Sequence, residues 1–437
     1  MFFIIYSEQS LYPIAHTNLC FSKIIKILII NNSAKITIAK KIVPLRKETF
    51  MADYFSSEFT LGILGGGQLG KMLLYETRKY DIKTKVVDPS IDAPCRIACD
   101  MFEQGDLMDY DTVYRFGKNV DLLTFEIENV NVAALEKLEA EGKKVYPSSK
   151  TLRNIQNKGV QKQFYKTHGI PTAPFNIYQN KIELNEALAE RESPFPFVWK
   201  SCTGGYDGKG VSIIRSAEDI MNLPDVACIT EELIPFKNEL AVIVARNPNG
   251  EVKTYPVVEM EFHPEANQVE YVICPARIDA SVAKRAREIA ETVSEAFEHV
   301  GLLAVEMFQT KDDEIIVNEV APRPHNSGHH TIESSYTNQF EQHLRAILNL
   351  PLGKTESKVG GIMVNLVGAE GHAGNVIYEN IEAVLAMDGV TPHIYGKKET
   401  RPFRKMGHIT IIDEDLKVAR KIAADVKRTI KVISSNN

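Results

Sequence analysis

The chain has 437 residues, 44% of them hydrophobic and 25% charged, an ordinary globular composition with enough length for two or three domains. A formal net charge of −6 gives no general attraction to nucleic acid or to an anionic membrane, so an anionic substrate needs a local basic site. The six cysteines are scattered, and Cys95 and Cys99, four apart, have no second pair to complete a zinc site; reduced thiols of a cytoplasmic protein are the simpler reading.

Residues 1–50 hold seven Lys/Arg against Glu8 and Glu48, with two short apolar runs, Phe2–Tyr6 and Ile24–Ile30. Neither run approaches the roughly 20 apolar residues of a membrane span. The opening MFFIIYSEQS lacks the basic start of a signal peptide. With Met51 just ahead of the first regular segment, 1–50 reads as a poorly ordered extension or the product of an upstream start codon; a targeting segment is the alternative.

Phe59–Leu64 is an apolar run followed by Gly65-Gly66-Gly67-Gln68-Leu69-Gly70 and KMLLYETRKY, the pattern of strand, glycine turn and helix. Strands are predicted again at 85–89 and 120–125, alternating with helices, so an α/β domain with a parallel sheet is expected from about 58 to about 150. Gly65, Gly67 and Gly70 fit GxGxxG, and Asp88 lies 23 residues beyond Gly65, as in a dinucleotide site. The turn suits any anionic ligand equally, or a plain tight crossing.

From about 154 a charged helix leads to a turn at Gly169–Pro171 and a strand at 197–200. SCTGGYDGKG follows, with four glycines between Gly204 and Gly210. Such a loop can present several backbone N–H groups to phosphate and close as a lid, with Lys200 on the strand before it. It lacks the GKS/GKT ending of a Walker A loop. Antiparallel strands are expected at 239–245, 252–259 and 271–274, a helix at 280–299, and a hairpin of 303–308 with 314–318. Further strands are expected around 361–366 and 408–412, then a basic helix. Glu306 and Glu319 sit in apolar strands, LLAVEMF and IIVNEVA, where an unpaired carboxylate is costly to bury. Two such acids beside Asn318 and a phosphate loop suit Mg²⁺, which takes few protein oxygens and leaves the rest to nucleotide. Next, Pro322 and Pro324 stiffen a loop carrying Arg323, His325, Asn326 and Ser327, with Arg323 suited to an oxyanion and His325 to carrying a proton. Lys397, Arg401, Arg404 and Lys405 fall within nine residues, a candidate phosphomonoester site.

Five blocks in order (GGGQLGKM, TFEIENV, KSCTGGYDGKG, NEVAPRPHNSGHH and RPFRKMGH) make residues 58 to 415 resemble the N5-carboxyaminoimidazole ribonucleotide synthetase family of the ATP-grasp superfamily. The resemblance implies an α/β and α+β protein. It has a Rossmann-like pre-ATP-grasp α/β domain (51–154), a small lid domain (155–230) and a C-terminal α+β ATP-grasp domain with a terminal rudiment (231–437). It implies ATP and Mg²⁺ as cofactors, with Lys158 and Lys200 on the phosphates and Gly205, Tyr206, Asp207, Gly208, Lys209 and Gly210 closing over them. Adenine would meet Glu231, Glu232, Leu233 and Ile234, and the ribose would meet Glu239. Glu306 and Glu319 would hold the metal, with Asn318 alongside. The carboxylation pocket would gather Tyr206, Asp207, Lys209, Arg323, His325 and Asn326. The ribonucleotide would lie on Gln68 and Leu69 near Glu126, its phosphate on Lys397, Arg404 and Lys405. By the same resemblance Glu128 and His263 would lie at the site, His263 on the nucleotide side.

The implied reaction is carboxylation of 5-aminoimidazole ribonucleotide by bicarbonate and ATP in de novo purine biosynthesis, releasing ADP and phosphate. Bicarbonate is a poor electrophile, so carboxyphosphate forms first, and the lid must keep water from it until the ribonucleotide amine attacks. Asp207 would orient that amine and His325 handle protons on bicarbonate. A homodimer is implied, with no nucleic acid or membrane partner. Sister ligases using formate and glycinamide ribonucleotide share the framework, but Tyr206-Asp207 and HNSGHH favour the bicarbonate enzyme. Biotin carboxylase fits the blocks poorly. An NAD-dependent oxidoreductase would explain nothing after residue 200. A non-catalytic nucleotide-binding protein leaves the joint presence of carboxylates and lysines without a purpose.

Overall fold

The computed structural model describes residues 5–7, 24–30, 36–42, 54–190, 195–205, 210–263 and 268–435. The chain divides into two compact units, 1–54 and 55–437. In the first, Ile5–Ser7, Ile24–Ile30 and Ile36–Ile42 pair as an antiparallel three-stranded sheet, Ile24 opposite Ile42. The rest of the expected extension lies outside the described residues.

The second unit begins with a five-stranded parallel sheet in the order Met101–Gln104, Lys83–Asp88, Thr60–Leu64, Leu122–Phe125, Lys144–Val145. Thr60–Leu64 and Leu122–Phe125 are buried throughout, as strands with helices on both faces must be. The chain builds outward from Thr60–Leu64 in one direction and then in the other. The order therefore reverses between this strand and Leu122–Phe125, where open α/β sheets leave a crevice beyond the strands' carboxyl ends. Gly65 and Glu126 stand at those ends. Helix Gln68–Lys79 follows the glycine turn, and its buried Lys71 reaches the carbonyls of Ile394 (3.0 Å) and Tyr395 (3.4 Å), tying it to the C-terminal strands.

One helix was expected from about 154; there are two, Ser149–Gln156 and Lys158–Thr167. Asn157 takes extended backbone between them and caps the second with its side chain on Val160 N. A four-stranded antiparallel sheet follows, in the order Val211–Ile214, Phe197–Ser201, Cys228–Glu232, Phe175–Tyr178, closed over its own core by Leu184, Leu188, Trp199 and Ile220.

The largest sheet is antiparallel and has nine strands. It runs from Ile315–Ala321 and Gly301–Thr310 through Phe236–Arg246, Val258–Phe262 and Val269–Cys274 to Gly360–Val367, Lys405–Asp413 and Val390–Ile394; Val252–Thr254 pairs to one side. The single strand expected over 252–259 is thus two, parted at Tyr255–Val257, where Pro256 withholds a ladder donor. Helix Ala280–Ala296 covers one face with Val282, Ile289 and Val293, side chains whose burial contributes roughly 1.5–3 kcal/mol each. Helix Leu416–Thr429 covers the C-terminal strands with Ala419, Ala423 and Val426.

Candidate functional site: a carboxylate hairpin under a lysine-lined lid

Glu306 and Glu319 face each other across the hairpin of Gly301–Thr310 and Ile315–Ala321. Past this pair the register shifts: Met307 opposes Val317, so Asn318 is an extra, bulged residue. A bulge re-aims side chains, and here it lets neighbours 318 and 319 both serve the lysines. Lys200 Nζ donates to Asn318 Oδ1 at 2.9 Å, and Lys158 Nζ to Glu319 Oε2 at 2.6 Å. Glu239 lies on the next strand, whose Ala241 is in register with Glu306.

Lys158 holds the Glu319 carboxyl well below the usual range. Burial, then repulsion from Glu319 and Glu239, raises Glu306; burial and Glu319 raise Glu239 to about 7. The three partly buried carboxylates are hard oxygen donors of the kind that suits Mg²⁺. Among the described residues no trio of His, Cys, Asp or Glu is arranged to hold a metal by itself.

Lys200 and Glu231 sit two residues out of register, on the same face of adjacent strands of the small sheet, and Glu231 Oε2 takes Lys200 at 3.0 Å. Its other oxygen takes Lys162 at 3.1 Å, and Lys162 also donates to Thr172 Oγ1 at 2.6 Å. Burial alone would raise Glu231, but Lys200 and Lys162 outweigh it and hold the carboxyl low; burial brings Lys162 down to about 8. Glu231 thus has its carboxylate committed to two lysines, and residues 233–235 link its strand to Phe236–Arg246. Lys162 escaped the sequence reading because a lysine in a charged helix reads as surface, yet it is 2% exposed. Its place four residues after Lys158, on the same helix face, was the available signal. Gly205 and Gly210 flank the lid loop, and Ser201 N bonds Gly210 O at 2.9 Å; Tyr206, Asp207, Gly208 and Lys209 lie outside the described residues.

Beyond the hairpin, His325 Nε2 stands 3.4 Å from Glu306 Oε1 and its Nδ1 3.0 Å from Ser327 Oγ. Arg323 pairs with Glu128 at 2.8 Å, which brings the TFEIENV segment to this loop. Asn326 and Asn365 exchange side-chain amide bonds at 2.9 and 3.0 Å. Asn365, Phe403, Lys427 and His263 border a cavity of about 350 Å³, where His263 meets Phe403 edge-on.

The glycine turn is not the open anion site its motif suggests. Glu126 accepts from Gly67 N (2.7 Å), Leu69 N (3.1 Å) and Gly70 N (3.0 Å), and Asp88 accepts from Gly66 N at 2.7 Å. The helix cap Gly67 has no side chain to offer, so Glu126 fills the N-terminal donors from across the sheet. Burial raises its pKa, offset in part by those N–H groups. A dinucleotide would find both its phosphate donors and its ribose acid engaged. The helix that begins at Gln68 is tied by Lys71 to the strand end just before the C-terminal basic loop, and Lys398 of that loop pairs with Asp92 (2.6 Å). In that loop Lys397 Nζ donates to Lys405 O, Arg404 to Glu399 O, and Lys405 acts electrostatically on Glu306.

Three stretches match known families: 59–156 the ribonucleotide synthetase preATP-grasp domain, 163–340 the ATP-grasp domain, and 361–422 the phosphoribosylaminoimidazole carboxylase C-terminal domain. The N5-carboxyaminoimidazole ribonucleotide synthase of Bacillus subtilis is 39% identical over 358 residues, covering 81% of this chain and 91% of that protein. The chain spans 63–67% of the length of fungal and plant phosphoribosylaminoimidazole carboxylases that it matches. The crystal structure of the Thermotoga maritima synthetase is 44% identical with a TM-score of 0.78, covering 86% of this chain and 100% of that one. That of the Aspergillus clavatus synthase with ADP and 5-aminoimidazole ribonucleotide is 33% identical with a TM-score of 0.77, covering 85% and 98%.

Proposed function

Because the chain belongs to the N5-carboxyaminoimidazole ribonucleotide synthase family of ATP-grasp enzymes, we infer that it carboxylates 5-aminoimidazole ribonucleotide with bicarbonate and ATP in purine biosynthesis. The observation that carries the reading is the hairpin: Glu306 and Glu319 in register, with Lys158 and Lys200 converging on its bulge. Lys158 and Lys200 bind the nucleotide phosphates, and Lys162 holds Glu231 so that Lys200 keeps its place. Glu239 accepts from a ribose hydroxyl, and the backbone of 232–234 meets the adenine. Glu306 and Glu319 would hold Mg²⁺, which would supply neutralisation of phosphate charge for phosphoryl transfer to bicarbonate. Arg323, oriented by Glu128, binds the bicarbonate oxyanion. His325 holds a proton at Nε2 beside Glu306, and Asp207 orients the ribonucleotide amine that takes the carboxyl group as phosphate leaves. Asn326, Tyr206 and Lys209 complete that pocket; Gln68, Leu69, Lys397, Arg404 and Lys405 hold the ribonucleotide.

No helix among the described residues is long and apolar enough to cross a membrane. A cytoplasmic homodimer is the assembly that completes this reading, and light scattering of the purified protein tests the dimer. Phosphate release from Mg-ATP and bicarbonate tests the reaction. Strong stimulation by aminoimidazole ribonucleotide, lost in Glu319→Ala, supports it. Stimulation only by formate with glycinamide ribonucleotide would keep the fold family and discard the reaction.

A further inference from the structure

His325 is held by its backbone as well as by its imidazole. It lies in extended conformation (φ −131°, ψ 156°), where its N–H and C=O point to the same side, as they would toward a neighbouring strand. No strand among the described residues pairs with them, although His325 O also accepts from Gly328 N at 2.9 Å. The carboxamide of Gln339 takes the strand's place: Oε1 accepts from His325 N at 2.8 Å, and Nε2 donates to His325 O at 2.8 Å. A carboxamide donates and accepts in one plane in this way. The second Nε2 proton goes to His329 Nδ1 at 2.8 Å, so every Gln339 contact has one orientation that satisfies all partners.

We propose that Gln339 is a positioning residue for carboxylation, fixing the His325 backbone so that the imidazole stays aligned between Glu306 and Ser327. The surroundings are built for that task. Gln339 is fully buried at the start of helix Gln339–Ile347. Its own N–H is taken by Thr331 Oγ1 at 2.9 Å, and the same hydroxyl donates to Gly328 O at 2.6 Å, closing the loop onto the helix. A Cβ at Gly328 would come within 2.5 Å of Gln339 Oε1, so the loop glycine makes room for the amide. Asn338 caps the helix through Phe340 N and Glu341 N, and its own amide reaches Glu76 Oε1 at 2.8 Å on the N-terminal domain. His329, on the far side of the amide, stacks on His408 (ring centroids 4.6 Å), which stacks on His393 (4.5 Å). The clamp thus stands on a rigid helix and a packed imidazole column, which is how a reacting side chain is kept within a fraction of an ångström.

The inference rests on His325 acting in carboxylation, so the test pairs an activity readout with one that needs no reaction. Gln339→Met keeps the length and removes both bonds; Gln339→Leu removes them with a branched apolar side chain. In the protein without ligands, hydrogen exchange at the 323–329 segment should quicken in both variants. With all substrates, carboxylation kcat should fall by up to about 100-fold, the cost of roughly 1 Å of misplacement. The KM for ATP should stay near the wild-type value, and more ATP should be hydrolysed per ribonucleotide carboxylated. Unchanged exchange, or unchanged coupling in a variant that binds ADP normally, would overturn the proposal. So would a variant that neither binds ADP nor unfolds cooperatively, since Gln339 would then be a core residue alone. A wild-type protein inert toward the ribonucleotide would remove the reaction and this inference together, whereas active wild type with normally coupled variants would remove the inference only.

Discussion

The molecule has two glycine-rich loops after strands, and they do opposite things with their backbone N–H groups. At Gly65–Gly70 the donors are filled from within: Glu126 takes three and Asp88 a fourth. At Gly204–Gly210 the loop is pinned at its base, by Ser201 N on Gly210 O, and follows a strand whose Lys200 leads to the carboxylate hairpin. One loop is a closed structural joint with its anion built in; the other adjoins the lysines that a phosphate requires. A glycine pattern reports that backbone can approach something closely. What it approaches is decided by charges far away in sequence.

The largest effect that would separate the two loops is on turnover. Glu319→Ala removes one of the two hairpin carboxylates and breaks its ion pair with Lys158. Its kcat/KM for ATP should drop by at least about 100-fold, the several kcal/mol that a metal site contributes, while thermal unfolding stays close to wild type. Near-normal ATP turnover in this variant would mean that the hairpin is not the phosphate site, and the contrast would collapse.

The next effect is on stability. Glu126→Ala leaves three N–H groups at a helix N-terminus without an acceptor, at a cost of about 2–3 kcal/mol. Millimolar phosphate or sulfate should restore part of the lost melting temperature in the variant and do little for wild type, because the vacated donors form an anion site. A variant as stable as wild type, or one indifferent to anions, would show that the joint does not depend on its built-in charge.

How much of this was legible before the fold was known follows from which interactions are local. The strand–turn–helix at Gly65 and the buried acids at Glu306 and Glu319 announce themselves by pattern and by the cost of burying charge. The Glu126 cap bridges 59 residues to Gly67, and no local pattern records it. The Asn318 bulge is a property of strand register, invisible until the partner strand is placed. Lys162 looks like any surface lysine until its neighbours bury it, and Gln339 looks like an ordinary first-turn residue until the His325 loop folds back on it. Breaks of regular elements were missed where one residue decides them, as Asn157 does between two helices.

A third effect compares the glycines themselves. Gly204 has φ +77° with open space around it, so Gly204→Ala meets backbone strain alone, about 1–2 kcal/mol. At Gly67 an added Cβ would sit 2.6 Å from Glu126 Oε1. Gly67→Ala should therefore reproduce the anion-responsive instability of Glu126→Ala, and Gly204→Ala should not. Melting curves with and without sulfate distinguish them; an anion response in Gly204→Ala would place a filled joint at the wrong loop.

The smallest effect tests what holds the other end of the glycine-turn helix. Asp100 accepts both guanidinium nitrogens of Arg78 (3.0 and 2.9 Å) and Thr84 N (2.7 Å), fastening the last turn of Gln68–Lys79 to the neighbouring strand. The Arg78 guanidinium, with Thr84, brings the Asp100 carboxyl from 3.8 down to about 2. A depressed carboxyl contributes stability above its unfolded pKa and loses it as pH falls through the folded value, so the contribution disappears between about pH 4 and pH 2. The side chain is 35% exposed, and screening reduces the contribution to about 1 kcal/mol. Asp100→Asn should unfold more easily than wild type in denaturant at pH 7, and the gap should close as the titration is repeated from pH 4 to pH 2. A gap that stayed constant with pH would mean that packing around residue 100, not its charge, fastens the helix, and that the ionic anchors of the glycine joint are Glu126 and Asp88 at its other end.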